Sequence, residues 1–262
     1  MKSLGQHFLK NKAVVQKIIT TLDMQPNETI VEIGPGHGAL TISLAEAAQK
    51  IGAKIIAIEK DTALAEILKS RIPEGGDATI EIVIGDALDI LTERQHEMRA
   101  DKIIGNIPYY ITGHLLRVIG ELKNKPRLSI LMLQKEVAER ICATPPKMNR
   151  LAASVQYWAE PKIIASLSKT EFSPPPEVDS AVLKLETRQL PSEDMEQYYA
   201  TVRTLFAQPR KTILNNLAAA EDGKRDKNKL IEALNSLGIS PTDRPQNLTI
   251  ENIRAIAENI DP

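Results

Sequence analysis

Aromatic residues are scarce in this chain. Phe, Tyr and Trp make up 3% of 262 residues, with 3 Phe, 5 Tyr and 1 Trp. A core built with so few rings must be aliphatic, and an apolar share of 42% is enough to supply it. Each ring that is present is therefore informative. There is a single cysteine, Cys142, which excludes a disulfide framework and a cysteine-based zinc site and fits a reducing cytosol. The four histidines (His7, His37, His96 and His114) show no metal-ligand spacing. No apolar run approaches a membrane span, and residues 1–10 lack the apolar stretch of a secretion signal. Charge bias is missing too. A net charge of −1 does not advertise a nucleic-acid binder, so any phosphate contact must come from local clusters.

What is present has a clear order. Apolar, β-rich runs at residues 29–33, 54–58, 79–84, 101–105 and 128–133 alternate with helical patterns such as 39–48 and 62–70. That alternation predicts a parallel sheet with helices on both faces. Two further runs, 162–167 and 181–185, are separated by Phe172-Ser173-Pro174-Pro175-Pro176 with no helix between them. They predict an antiparallel edge pair and hence a mixed sheet. The expected class is α/β with a seven-stranded mixed sheet, and five parallel strands plus such a pair resemble the Rossmann-like S-adenosylmethionine-dependent methyltransferase fold. After Arg188 the pattern becomes helical, with segments near 194–207, 211–220, 227–237 and 250–259 and Ser192 as a candidate cap. The expected division is a catalytic domain over 1–190 and a small helical, RNA-contacting domain over 191–262.

The first strand ends in Val31-Glu32-Ile33-Gly34-Pro35-Gly36-His37-Gly38, where alternate glycines allow a tight turn and close approach of a ligand. Glu59, at the next strand end, is placed to accept the hydroxyls of a ribose. Asp86, followed by Ala87, is placed to accept from the exocyclic amine of a cofactor adenine. A dinucleotide fingerprint would read G-x-G-x-x-G, and its pyrophosphate would sit badly beside Glu32. An acid before a G-x-G-x-G turn suits a cationic ligand, and S-adenosyl-L-methionine carries a sulfonium and an ammonium. Downstream, Asn106-Ile107-Pro108-Tyr109 offers an amide oxygen, a rigid backbone and a stacking face for a flat amine.

Taken with Leu4-Gly5-Gln6-His7-Phe8-Leu9, Leu133-Gln134-Lys135-Glu136-Val137, Phe172 through Val182, and Arg210 through Leu217, these motifs resemble the ribosomal RNA adenine N6,N6-dimethyltransferase family. The small-subunit branch, the kasugamycin-sensitivity dimethyltransferases, is the nearest match. The resemblance implies that His7 and Leu9 lie over the cofactor and that Gly34, Gly36, Glu59, Asp86, Ala87 and Asn106 complete its pocket. It implies a catalytic set of Asn106, Ile107, Pro108, Tyr109 and Phe172. Asn106 Oδ1 and the Ile107 carbonyl would accept the amine's N–H groups, Tyr109 would stack on the flipped base, Phe172 would close the other face, and Tyr110 would pack. The family usually has Asn where this chain has His7.

The implied reaction is dimethylation of two adjacent adenines near the 3′ end of small-subunit (16S) ribosomal RNA, late in subunit biogenesis. The implied setting is a cytoplasmic monomer acting on the immature small subunit, with no metal and no membrane. Candidate RNA contacts are Arg203, Arg210, Lys211, Lys224, Arg225, Lys227 and Lys229, with a second patch at Lys147, Asn149 and Arg150. The rivals are a large-subunit methylase of the erythromycin-resistance type, a binding-only ribosome-assembly factor, and a DNA-adenine or protein-glutamine methylase. That last group usually carries Pro-Pro-Tyr, from which Ile107 departs.

Overall fold

The computed structural model describes residues 7–72, 80–94, 98–189, 195–220 and 225–260. Gln6, His96, Ser192, Lys224 and the start of the run at residue 79 lie outside them. The chain divides into two compact units. The first holds the described chain up to Ala138 together with Glu160–Thr187, and the second holds Glu139–Ala159 and the chain from Arg188 onward.

Nine strands are described: β1 (Phe8–Leu9), β2 (Thr29–Ile33), β3 (Lys54–Glu59), β4 (Ile80–Ile84), β5 (Lys102–Asn106), β6 (Leu128–Gln134), β7 (Ala159–Leu167), β8 (Phe172–Ser173) and β9 (Ser180–Thr187). Seven form one sheet in the order β4-β3-β2-β5-β6-β9-β7. The first five are parallel and β9 runs antiparallel to β6, so the sheet is mixed. The central strands are Ile- and Leu-rich because helices cover both faces: Ile30, Val31, Ile55, Ile56, Ile103, Ile104, Ile130 and Leu131 are all buried.

The covering helices have local causes. Asn11 accepts from the amides of Ala13 and Val14, which starts the helix Lys12–Leu22. Its buried residues, Val15, Ile18, Ile19 and Leu22, fall at helical spacing and form one apolar stripe. Burying each such side chain contributes about 1.5–3 kcal/mol. Thr41–Ile51 ends at Gly52, whose φ of 73° suits a residue without a Cβ. Asp61 caps Thr62–Arg71 through the amides of Ala63 and Leu64.

One buried cation ties β5 to the loop before β2. Lys102 is fully buried, with Nζ 2.6 Å from Glu28 Oε2. Burial opposes ionisation of Glu28, but bonds from Lys102, the Gln25 amide and Arg127 outweigh it and hold the carboxyl below its ordinary value.

The second unit contains the helices Arg150–Trp158, Met195–Leu205, Ile213–Ala218, Lys227–Ser236 and Ile250–Asn259. It corrects the expected boundary, because Glu139–Ala159 clusters with the C-terminal helices. Tyr157 stacks on Tyr198 at 4.0 Å, and the Tyr198 hydroxyl donates to the Ala153 carbonyl at 3.0 Å. Aromatic packing of this kind outweighs nearness in sequence. Buried Asn216 donates to the carbonyls of Gln208 and Thr212, both at 3.1 Å, and so locks the turn that carries Arg210 and Lys211.

Candidate active site

Parallel strands bring their carboxyl ends to one edge of a sheet, and that edge is where open α/β sheets bind ligands. Here β2 delivers the Gly34-Pro35-Gly36 turn, β3 ends at Glu59, β4 leads to Asp86 and β5 ends at Asn106. A single cavity, wholly within the first unit, is lined by every residue the sequence assigned to the site. They are His7, Leu9, Gly34, Gly36, Glu59, Asp86, Ala87, Asn106, Ile107, Pro108, Tyr109 and Phe172.

The turn is built for close approach. Gly34 and Gly36 have φ of 65° and 56°, a region that L side chains rarely adopt. Gly36 donates to Glu59 Oε2 at 3.0 Å, and Asp61 donates to Glu59 Oε1 at 2.9 Å. Buried Glu59 is thus held in one orientation, with a lone pair on each oxygen still able to accept. Asp86 Oδ1 caps the helix Ala87–Glu93 through the Leu88 amide, and Oδ2 pairs with Lys60 Nζ at 2.8 Å. The Lys60 bond, against some desolvation, keeps the Asp86 carboxyl below its ordinary value, so it remains an ionised acceptor. Deeper in the wall, Glu32 is 1% exposed and its Oε2 has no partner among the described residues. Three acids with spare acceptor capacity, one of them unpaired and buried, fit a cationic ligand that carries hydroxyls and an amine. They do not fit a pyrophosphate.

On the other side of the cavity, Asn106 Nδ2 donates to the His7 carbonyl at 2.6 Å. That bond commits the amide nitrogen and leaves Oδ1 as the free acceptor. The Tyr109 hydroxyl lies 3.1 Å from Ser180 Oγ, which fixes the phenol ring. Phe172 is 2% exposed and belongs to the aliphatic core, so it is a fixed wall of the cavity. Tyr110, expected to pack, is instead 68% exposed.

The sequence did not show how the N-terminal segment is held. Strands β1 and β8 form a separate antiparallel ribbon, with Phe8 opposite Ser173 and Leu9 opposite Phe172. His7 Nδ1 bonds the Pro174 carbonyl at 2.9 Å. The Phe8 ring lies 4.2 Å from that of His37 and covers Gly36, where an added Cβ would come within 2.8 Å of it. His7, standing where the family usually has Asn, therefore clasps the proline loop with its ring and Asn106 with its backbone. Lys60, Gly105, Ser180 and Phe8 were not singled out. Phe8, Gly105 and Ser180 lie inside motifs that carry the family resemblance, and only Lys60 has no signal in the sequence. Among the described residues no group of three His, Cys, Asp or Glu side chains can hold a metal, and no helix is long and apolar enough to cross a membrane.

The family pattern described as ribosomal RNA adenine dimethylase matches residues 1–261. The chain belongs to that family. A ribosomal RNA small subunit methyltransferase A from Pelotomaculum thermopropionicum is 38% identical over 278 residues, covering 98% of this chain and 90% of that protein. The protein of the same name from Moorella thermoacetica is 36% identical, covering 99% and 92%. Among solved structures, a dimethyladenosine transferase from Plasmodium falciparum superposes with a TM-score of 0.80 at 25% identity, covering 95% of this chain and 96% of that one. The 23S rRNA methyltransferase ErmE superposes at 0.74 with 23% identity over 97% and 100%, a likeness of fold alone. Membership of the family makes the cavity the place to look for methyl transfer to adenine. The superpositions show that the fold, built in this chain on a seven-stranded mixed sheet, is shared with these structures.

Proposed function

We propose that this protein uses S-adenosyl-L-methionine to dimethylate N6 of two adjacent adenines near the 3′ end of small-subunit ribosomal RNA, working as a cytoplasmic monomer on the immature small subunit. The observation that carries the reading is the meeting, in one cavity, of an acidic ligand wall with Asn106-Ile107-Pro108-Tyr109 in a member of this family. The small-subunit target is favoured over the large because relatives at 36–38% identity bear the small-subunit name.

When bound, S-adenosyl-L-methionine supplies a methyl group on a sulfonium, whose leaving group is a neutral thioether. Glu59 would hold the ribose, Asp86 the adenine amine, and Glu32 would face the cationic end. His7 and Leu9 would cover them. For the target base, Asn106 Oδ1 and the Ile107 carbonyl accept the two N–H bonds of the amine. The nitrogen lone pair is then drawn out of the ring and aimed for attack, and the product adeninium loses its proton to water. Tyr109, steadied by Ser180, stacks on the flipped base, and Phe172 bounds the pocket behind it. Catalysis by these residues is positioning and electrostatics, with no strong general base.

Nucleoside mass spectrometry of rRNA tests this, after incubation with S-adenosyl-L-methionine and each ribosomal subunit from an unmethylated strain. N6,N6-dimethyladenosine in small-subunit RNA alone is expected. Product in large-subunit RNA alone would move the protein to the resistance type, and no product from either would favour a binding-only factor. Asn106→Ala should lose about a hundredfold or more in turnover, and near-native turnover would refute the amine contacts.

A further inference from the structure

Of the nine rings, Tyr110 alone stands open to solvent; the others are buried or half-buried. A single exposed apolar side chain on a protein surface is ordinary. This one is different in its place, because it lines the same cavity and follows directly on Tyr109. Its backbone is well anchored. Tyr110 lies in the 3-10 turn Tyr109–Ile111, which runs straight into the helix Thr112–Glu121. The Ile111 amide donates to the Pro108 carbonyl at 3.1 Å, and Tyr109 beside it is tied to Ser180. The side chain is thus presented, 68% exposed, on a fixed support. Lys60 lines the cavity as well, with its side chain 58% exposed. The ion pair with Asp86 accounts for the lysine, but among the described residues no hydrogen bond, ion pair or ring contact accounts for the ring. A rigid aromatic platform beside a cation is how proteins hold unpaired nucleobases, since every base has a π-face.

The geometry points to Tyr110 as a nucleobase-stacking residue at the mouth of the cavity. The base is either the adenine of S-adenosyl-L-methionine or the nucleotide adjoining the target adenine. The inference rests on reading the cavity as a methyltransferase site. Its test compares the native full-length protein with Tyr110→Phe and Tyr110→Leu. Dissociation constants for S-adenosyl-L-methionine are measured by calorimetry, and KM and kcat with unmethylated small subunits as the varied substrate. The Phe variant, which keeps the ring, should stay close to native. The Leu variant, similar in size but without a ring, should weaken one ligand about tenfold at unchanged kcat and unchanged Tm. A loss confined to cofactor affinity assigns the ring to the cofactor's adenine, and a loss confined to the KM for RNA assigns it to the neighbouring base. Native behaviour of the Leu variant towards both ligands, or equal impairment of Phe and Leu, overturns the stacking role while leaving the methyltransferase reading intact. A native protein that binds no S-adenosyl-L-methionine overturns both.

Discussion

Glu32 lies on β2 beside the Gly34-Pro35-Gly36 turn, buried and with Oε2 unpartnered among the described residues. Burial, opposed by the nearby Thr41 hydroxyl and reinforced by the charge of Glu59, pushes its carboxyl up from 4.5 to about 8. Between those values the ligand-free folded protein keeps a proton that the unfolded chain has released. Its stability therefore falls as pH rises through that window. A cation bound beside Glu32 favours the carboxylate, so binding must release a proton in the same range. Affinity for S-adenosyl-L-methionine should accordingly climb from pH 6 towards about 8. Calorimetry in buffers of different ionisation enthalpy reads the proton directly, and Glu32→Gln should bind more weakly and lose the pH dependence. A native affinity flat across this range would sink the idea. At this scale Glu59, Asp86 and Asn106 are legible from sequence because each stands where an apolar run ends, and Glu32 because it precedes the glycine turn. Lys60 and Ser180 were not, because their roles depend on side chains that reach them only in the folded protein.

Among the elements, β2 and β5 set the floor of the site, and Gly105 sets their spacing. A Cβ there would fall 2.5 Å from the Ile33 carbonyl oxygen, a backbone atom with little room to yield. Gly105→Ala should cost about 1–3 kcal/mol of stability by chemical denaturation. It should also lower cofactor affinity, since Gly34 and Asn106 would be moved apart. Unchanged stability and affinity together would refute this role. The long strands were legible because burial on both faces leaves a continuous apolar run. The ribbon of β1 and β8 was not. Two-residue strands have no periodicity, and their partners are about 160 residues apart in the chain.

Over the whole molecule, a net charge of −1 leaves no strong bias between the two units, so any RNA contact rests on local clusters of basic side chains. Lys147 and Arg150, from one sequence patch, and Arg203, Arg210, Lys211, Lys227 and Lys229, from the other, are exposed and belong to the same unit. Asn149 leaves the patch, because its side chain caps the helix Arg150–Trp158 and donates to the Arg140 carbonyl. If this unit carries RNA, affinity for the small subunit should fall steeply with salt. Replacing Lys147 and Arg150 by Ser should lower the log–log salt slope by about one per side chain while leaving affinity for S-adenosyl-L-methionine unchanged. An unaltered slope would remove these residues from the interface. The sequence by itself determined the order of strands and helices, the acids at the ends of the second and third parallel strands and the kind of ligand that suits them. Those features are local, written in periodicity and in the residue that ends each run. Only the tertiary structure decided which distant groups meet: His7 with Pro174, Tyr109 with Ser180, Phe8 over Gly36, and residues 139–159 with the C-terminal helices. Such contacts are chosen by packing and hydrogen-bond satisfaction across the folded chain, and neither leaves a period in the sequence.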